Sequence, residues 1–285
     1  MASVLMFHSY KGGTGKSLIS VNIAASLVGK GFKVALLDFD FLGPGLFTTF
    51  IPSLEDSEIE NVLYLNDAFF KPLRDVSIDK VLLDMTNKTD PKGAKFYVGL
   101  ANPEPSEINS MIRLSQKQVA DSFRKVLLSR EYIYDQLGID YIIIDAGPGF
   151  RNDVAFAMLI SDVIISVMKP SEADLEGTKR LLKSTSVFVG ERIQGIIINR
   201  AVSSDANPGY PELKNLLESR QESIVSEIID YSRKLSIPVF GTIPCLCGVS
   251  RGESHQRIIA REFPDHIFSK VIEKIIESIN TEQQI

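Results

Sequence analysis

Val4-Leu5-Met6-Phe7-His8-Ser9-Tyr10-Lys11-Gly12-Gly13-Thr14-Gly15-Lys16-Ser17 is the stretch that decides the fold: an apolar strand runs straight into a glycine loop, and a helical pattern begins where the loop ends. The glycines let successive backbone N–H groups turn inward onto a polyphosphate. Lys16 adds a cation for the β/γ-phosphates, and the Ser17 hydroxyl is suited to Mg²⁺. The following helix starts at the loop, so its positive end also faces the phosphates. The Walker template G-x-x-x-x-G-K-[ST] wants glycine where Tyr10 stands, so the match to it is imperfect; Lys11 is an addition to it.

The pattern K-G-G-x-G-K-S, Lys11 to Ser17, resembles the deviant Walker A loop of the MinD/ParA family of dimerising ATPases. The resemblance implies that Lys11 reaches across to the nucleotide of a partner copy. It also implies that Gly12, Gly13, Thr14, Gly15, Lys16, Ser17 and Leu18 hold ATP with Mg²⁺. The next apolar run, Lys33 to Leu37, ends on Asp38-Phe39-Asp40, and D-F-D-F-L-G-P-G-L is similar to the family's switch I. Acids at i and i+2 share a face if the strand continues that far, at the sheet edge where α/β ligands sit. By resemblance, Asp40 orients the hydrolytic water and Asp38 stands behind the Mg²⁺ shell. The competing reading is a pair of solvated loop acids.

Tyr141 to Ile144 is a further apolar strand, closed by Asp145-Ala146-Gly147-Pro148-Gly149. A strand-ending aspartate of this kind is the Walker B arrangement, its carboxylate holding Mg²⁺ waters, and the segment resembles the family's switch II. After the strand Gln194 to Ile198, Asn199 matches the family's purine-reading asparagine, and Pro244, after the strand Pro238 to Ile243, matches its turn beside the base.

The other 200-odd positions supply the rest of an α/β pattern. Strands are expected at Lys95 to Ala101 and Asp162 to Met168, and helices at Leu18 to Val28, Ser115 to Leu137, Glu172 to Val189 and Ile224 to Leu235. Short helices are expected between Phe47 and Lys80, and a loop, suited to a partner, over Ala201 to Arg220. The final stripe Phe268, Val271, Ile272, Ile275, Ile276 and Ile279 reads as a helix packed on the sheet; a membrane-surface helix would be basic opposite its apolar side. Strand and helix alternate throughout, which predicts a single doubly wound α/β domain over residues 1–285, its mostly parallel sheet covered by helices on both faces.

Composition narrows the function classes. With 44% apolar residues and a net charge of −5, the 285-residue chain is an ordinary globular protein rather than one coated in basic surface for nucleic acid. Non-specific DNA stays open as a partner beside a protein activator or cargo adaptor, and direct membrane attachment is disfavoured. Two cysteines form no disulfide framework, and neither a leader pattern nor a membrane-spanning run is present, which points to the cytoplasm. Cys245 and Cys247 form a C-x-C pair, half of a usual four-ligand site that a homodimer would complete. The family's iron–sulfur carriers, of the Mrp type, have C-x-x-C, which this chain lacks. The expected function is therefore a slowly hydrolysing, ATP-dependent homodimerisation switch for positioning or partitioning a cargo; the alternative is an ATP-dependent metal carrier using Cys245 and Cys247.

Overall fold

The structure, a computed structural model, describes residues 3–71, 76–86, 94–190, 192–201, 211–246 and 258–284. Eight strands form one sheet: β1 Ser3–Ser9, β2 Val34–Phe39, β3 Leu82–Asp84, β4 Phe96–Gly99, β5 Tyr141–Pro148, β6 Val163–Met168, β7 Ile193–Ala201 and β8 Val239–Pro244. Their order is β3-β4-β2-β5-β1-β6-β7-β8, parallel except for β3 on β4. The glycine-loop strand β1 therefore lies near the centre, between β5 and β6.

The sheet is buried on both sides, and the period of two in its strands shows how. Leu5, Phe7, Val34, Leu36, Ile143, Val163 and Ile165 enter one core, with the helices Lys16–Gly29 and Ile267–Glu282. Their neighbours Val4, Met6, Ala35, Leu37, Ile142, Ile144 and Ile164 enter the opposite core, with Gln116–Asp135 and Asn152–Ile160. Towards β8, Met168, Ile196 and Ile198 pack on Glu172–Val189 and on residues of Pro211–Lys234. Apolar residues in continuous runs are what a two-sided parallel sheet needs. Capping is explicit at one long helix: Ser115 Oγ accepts from the Gln118 amide while Gln118 Oε1 accepts from the Ser115 amide.

Phe268, Ile272, Ile275, Ile276 and Ile279 are buried in the core, so the last helix packs on the sheet. No helix among the described residues is long and apolar enough to cross a membrane. Three differences from the expected elements stand out. The helix Pro211–Lys234 covers half of the expected 201–220 loop; Pro211 opens it, where a missing N–H costs nothing. Residues 202–210 lie outside the described residues. β5 continues past Ile144 to Pro148, because pairs such as Phe7 with Asp145 and Ser9 with Pro148 extend its ladder. β7 likewise runs on to Ala201, so Asn199 stands inside a strand.

Candidate functional site

The site lies where β1, β2, β5 and β7 end. Phe7 is paired with Asp145, and Asp145 with Asp38, so parallel register alone sets two carboxylates beside the start of the loop. Lys16, in the first turn of its helix, donates from Nζ to Asp145 Oδ1 at 3.0 Å, and both side chains are buried. Asp38, fully buried, accepts from the Asp40 amide at 3.0 Å and the Leu46 amide at 3.1 Å. These bonds fold the segment after β2 back over the loop, bringing Gly45 to where an added Cβ would lie 3.8 Å from Ser17 Oγ. Lys16, Asp38, Asp40 and Asp145 thus lie in one cluster, with Ser17 next to Lys16 in the chain.

The electrostatics follow from burial. Burial pushes the Asp38 carboxyl up to about 8; the Asp145 and Asp40 carboxylates add to this, and the two amides oppose it. Burial works against the Lys16 ammonium, yet Asp145, Asp40 and Asp38 hold it above the usual lysine range. Asp40 is also raised by burial, with Lys16 and Arg151 pulling the other way.

Gly13 and Gly15 have φ of +74° and +87°, a region where a Cβ is strained, which is what turning the amides inward demands. A Cβ on Gly12 or Gly13 would meet no described atom within 4 Å, so this side of the loop is open. Asp145 Oδ2 and Thr14 Oγ1 are buried with no hydrogen-bond partner among the described residues. An open amide cradle, an orphaned carboxylate oxygen and a buried ammonium fit a magnesium-bound nucleoside phosphate. Among the described residues there is no cage of three or more His, Cys, Asp or Glu. Mg²⁺ bound with waters and phosphate oxygens does not require one.

Other expected residues have different surroundings. Lys11 is exposed, and its carbonyl accepts from Ser9 Oγ at 2.7 Å. Leu18 packs on the core, while its carbonyl accepts from Asn22 Nδ2 at 2.8 Å. Asn199 donates from Nδ2 to the Thr14 carbonyl at 2.7 Å and accepts the Arg200 amide at 2.9 Å. It therefore props the glycine loop, with one amide N–H left over. Pro244 ends β8 opposite Ala201. Cys245 follows it, half-buried, whereas Cys247 lies outside the described residues.

Three residues were given no role in the site from the sequence. His8 is buried in β1 and shares a 3.0 Å hydrogen bond with Ser166; burial, and then Lys16, lower it to about 3. Tyr10, standing where the Walker template has glycine, packs its ring on the backbone of Gly177, where a Cβ would collide with it. Arg151 reaches Asp40 Oδ1 at 3.3 Å. A basic residue two positions before Asp153, just beyond the Asp145–Gly149 glycines, was the only signal for it.

A glycine loop between a central strand and a helix, facing strand-end carboxylates, defines a P-loop nucleotide-binding α/β protein. The chain belongs to the AAA domain family (AAA_31), whose model matches residues 2–194, and its fold is that of the MinD/ParA P-loop ATPases. The cytosolic Fe-S cluster assembly factor Nubp2 homolog of Aedes aegypti is 25% identical over 296 residues, covering 98% of this chain and 97% of that protein. The septum site-determining protein MinD of Pyrococcus horikoshii, complexed with Mg-ADP, has a TM-score of 0.68 at 18% identity, covering 98% of this chain and 96% of that one. A putative plasmid partition protein of Borrelia burgdorferi, bound to AMPPNP, has a TM-score of 0.69 at 19% identity, covering 99% and 100%.

Proposed function

We propose that this chain is an ATPase that closes into a face-to-face homodimer around ATP and separates on slow hydrolysis, serving to position or partition a cargo. The observation that carries this reading is the buried Lys16–Asp145 pair beside the open glycine loop. Asp145 keeps the Lys16 ammonium charged in a desolvated place. The β/γ-phosphates can then take over Lys16 as their cation and leave Asp145 free.

Ser17 Oγ and Asp145 would hold Mg²⁺, with Asp38 behind them. When bound, the ion neutralises phosphate charge as it develops. The amides of Gly12 to Ser17 hold the phosphates, Asp40 orients the attacking water, and the remaining Asn199 N–H with the backbone near Pro244 reads the base. Lys11, exposed at the mouth of the loop, is free to supply charge to the partner copy. Such charge supplied across an interface is worth roughly 10³–10⁵ in rate in GTPases. A protein activator or adaptor, or non-specific DNA, provides the matrix, in the cytoplasm.

The test is sizing with ADP and with a non-hydrolysable ATP analogue. Wild type should dimerise with the analogue alone, and Lys11→Ala should stay monomeric while binding nucleotide nearly as well. A Lys11→Ala variant that dimerises and turns over normally removes the trans role. The Nubp2 relative supports a second reading, in which an iron–sulfur cluster is cargo held between copies by Cys245 and Cys247. It requires iron in the purified dimer that is lost in Cys247→Ser; metal-free protein with full ATPase activity excludes it.

A further inference from the structure

The Asp40 carboxylate sits in a box built by two glycines and one arginine. On one side is Gly43, whose added Cβ would lie 3.5 Å from Asp40 Oδ1. On the other is Gly147, in the last turnless stretch of β5, whose added Cβ would lie 2.8 Å from the same oxygen and collide with Arg151 Nη2. Over Gly147 lies the Arg151 guanidinium. Its Nε donates to Asp153 Oδ1 at 3.1 Å and its Nη2 to Asp153 Oδ2 at 2.7 Å, a two-pronged contact with a carboxylate that is itself buried. Nη2 also reaches Asp40 Oδ1 at 3.3 Å. One guanidinium therefore joins the segment after β2 to the helix Asn152–Ile160, and Asp153 leaves it little freedom to swing.

We propose that Arg151, oriented by Asp153, is the positioning residue that fixes the Asp40 carboxylate and couples the segment after β2 to the segment after β5. The inference rests on the ATPase reading above, in which Asp40 orients water. A planar fork is needed because the same group must hold Asp153 with two N–H bonds and still present an edge to Asp40. Gly147 is needed because any side chain there takes the place of the guanidinium.

The test measures kcat, KM and nucleotide affinity on the full chain with Mg-ATP. Arg151→Gln should lower kcat by about 10- to 100-fold, the cost of a misplaced catalytic group, with affinity within about twofold of wild type. Arg151→Lys should recover part of the loss. Gly147→Ala should reproduce it with Arg151 still present, since its backbone φ is not in the left-handed region. In an Asp40→Asn background, Arg151→Gln should cost less than about twofold further, because the group it positions is gone. Wild-type kcat in Arg151→Gln or Gly147→Ala overturns the inference. So does an equal loss in both backgrounds, which marks Arg151 as a structural contact; the ATPase reading survives either result. An Asp40→Asn variant that turns over like wild type overturns the inference and the water-orienting role of Asp40 together, while absence of turnover in the wild type itself would overturn the ATPase reading.

Discussion

Replacing His8 by glutamine should flatten the acid side of the stability curve. His8 is 1% exposed, its Nε2 engaged with Ser166 and its Nδ1 without a partner among the described residues, one residue before the end of the strand that leads into the glycine loop. Burial, and then the Lys16 charge, hold its value at about 3 against an ordinary 6.5. The unfolded chain thus takes up this proton before the folded one does. Stability from neutral His8 is complete above about pH 6.5 and is lost as pH falls toward 3. Integrated to pH 5, the wild type loses about 2 kcal/mol through this one residue, and almost nothing at pH 7.5. Asp38 works in the opposite sense: its raised value makes folding less favourable as pH rises toward 8. It is common to both proteins and cancels in the comparison. Urea unfolding of wild type and His8→Gln at pH 7.5 and pH 5, in the presence of chelator, gives the double difference. A difference below about 0.5 kcal/mol would refute the reasoning, since His8 would then accept its proton in the folded state as readily as in water. A neutral His8 adds no positive charge beside Lys16, so the Asp145 carboxylate is not drawn away from the Lys16 ammonium.

Lys16→Ala should abolish ATP binding in a fluorescent-analogue titration and lower stability by about 3–5 kcal/mol in urea, because Asp145 is left buried beside Asp38 without its partner. Gly15→Ala should cost about 1–2 kcal/mol for its φ of +87° and also drive a methyl group into Asn199 Nδ2, so calorimetric ATP affinity should fall. Ile272→Ala, at a fully buried position of the C-terminal helix, should cost about 2–5 kcal/mol by urea midpoint; a loss under about 1 kcal/mol would mean the helix is not part of the core.

Several parts of the site were legible because they follow from local pattern. An apolar strand, a run of glycines and a helix start are contiguous, and the acids that end Leu36-Leu37-Asp38 and Ile143-Ile144-Asp145 advertise themselves by closing apolar runs. The helix Asn152–Ile160 was missed for a physical reason: it is apolar on nearly every side, so it carries no stripe at helical period to distinguish it from a strand. The segment around Pro211 was misread because polar residues with proline suit a loop and the first turn of a helix equally well.

The chain's order of residues by itself determined the P-loop and the two strand-end carboxylates, since each depends on neighbours a few positions apart, and the alternation of apolar strands with helices along the chain pointed to a parallel sheet. Only the tertiary structure decided what those groups touch. Arg151 and Asp40 are 111 positions apart, His8 and Ser166 are 158, and Asn199 and Thr14 are 185. No periodicity links such pairs; they meet because strand register in a parallel sheet brings distant strand ends to one edge, where burial makes every unmatched polar group costly and so selects its partner.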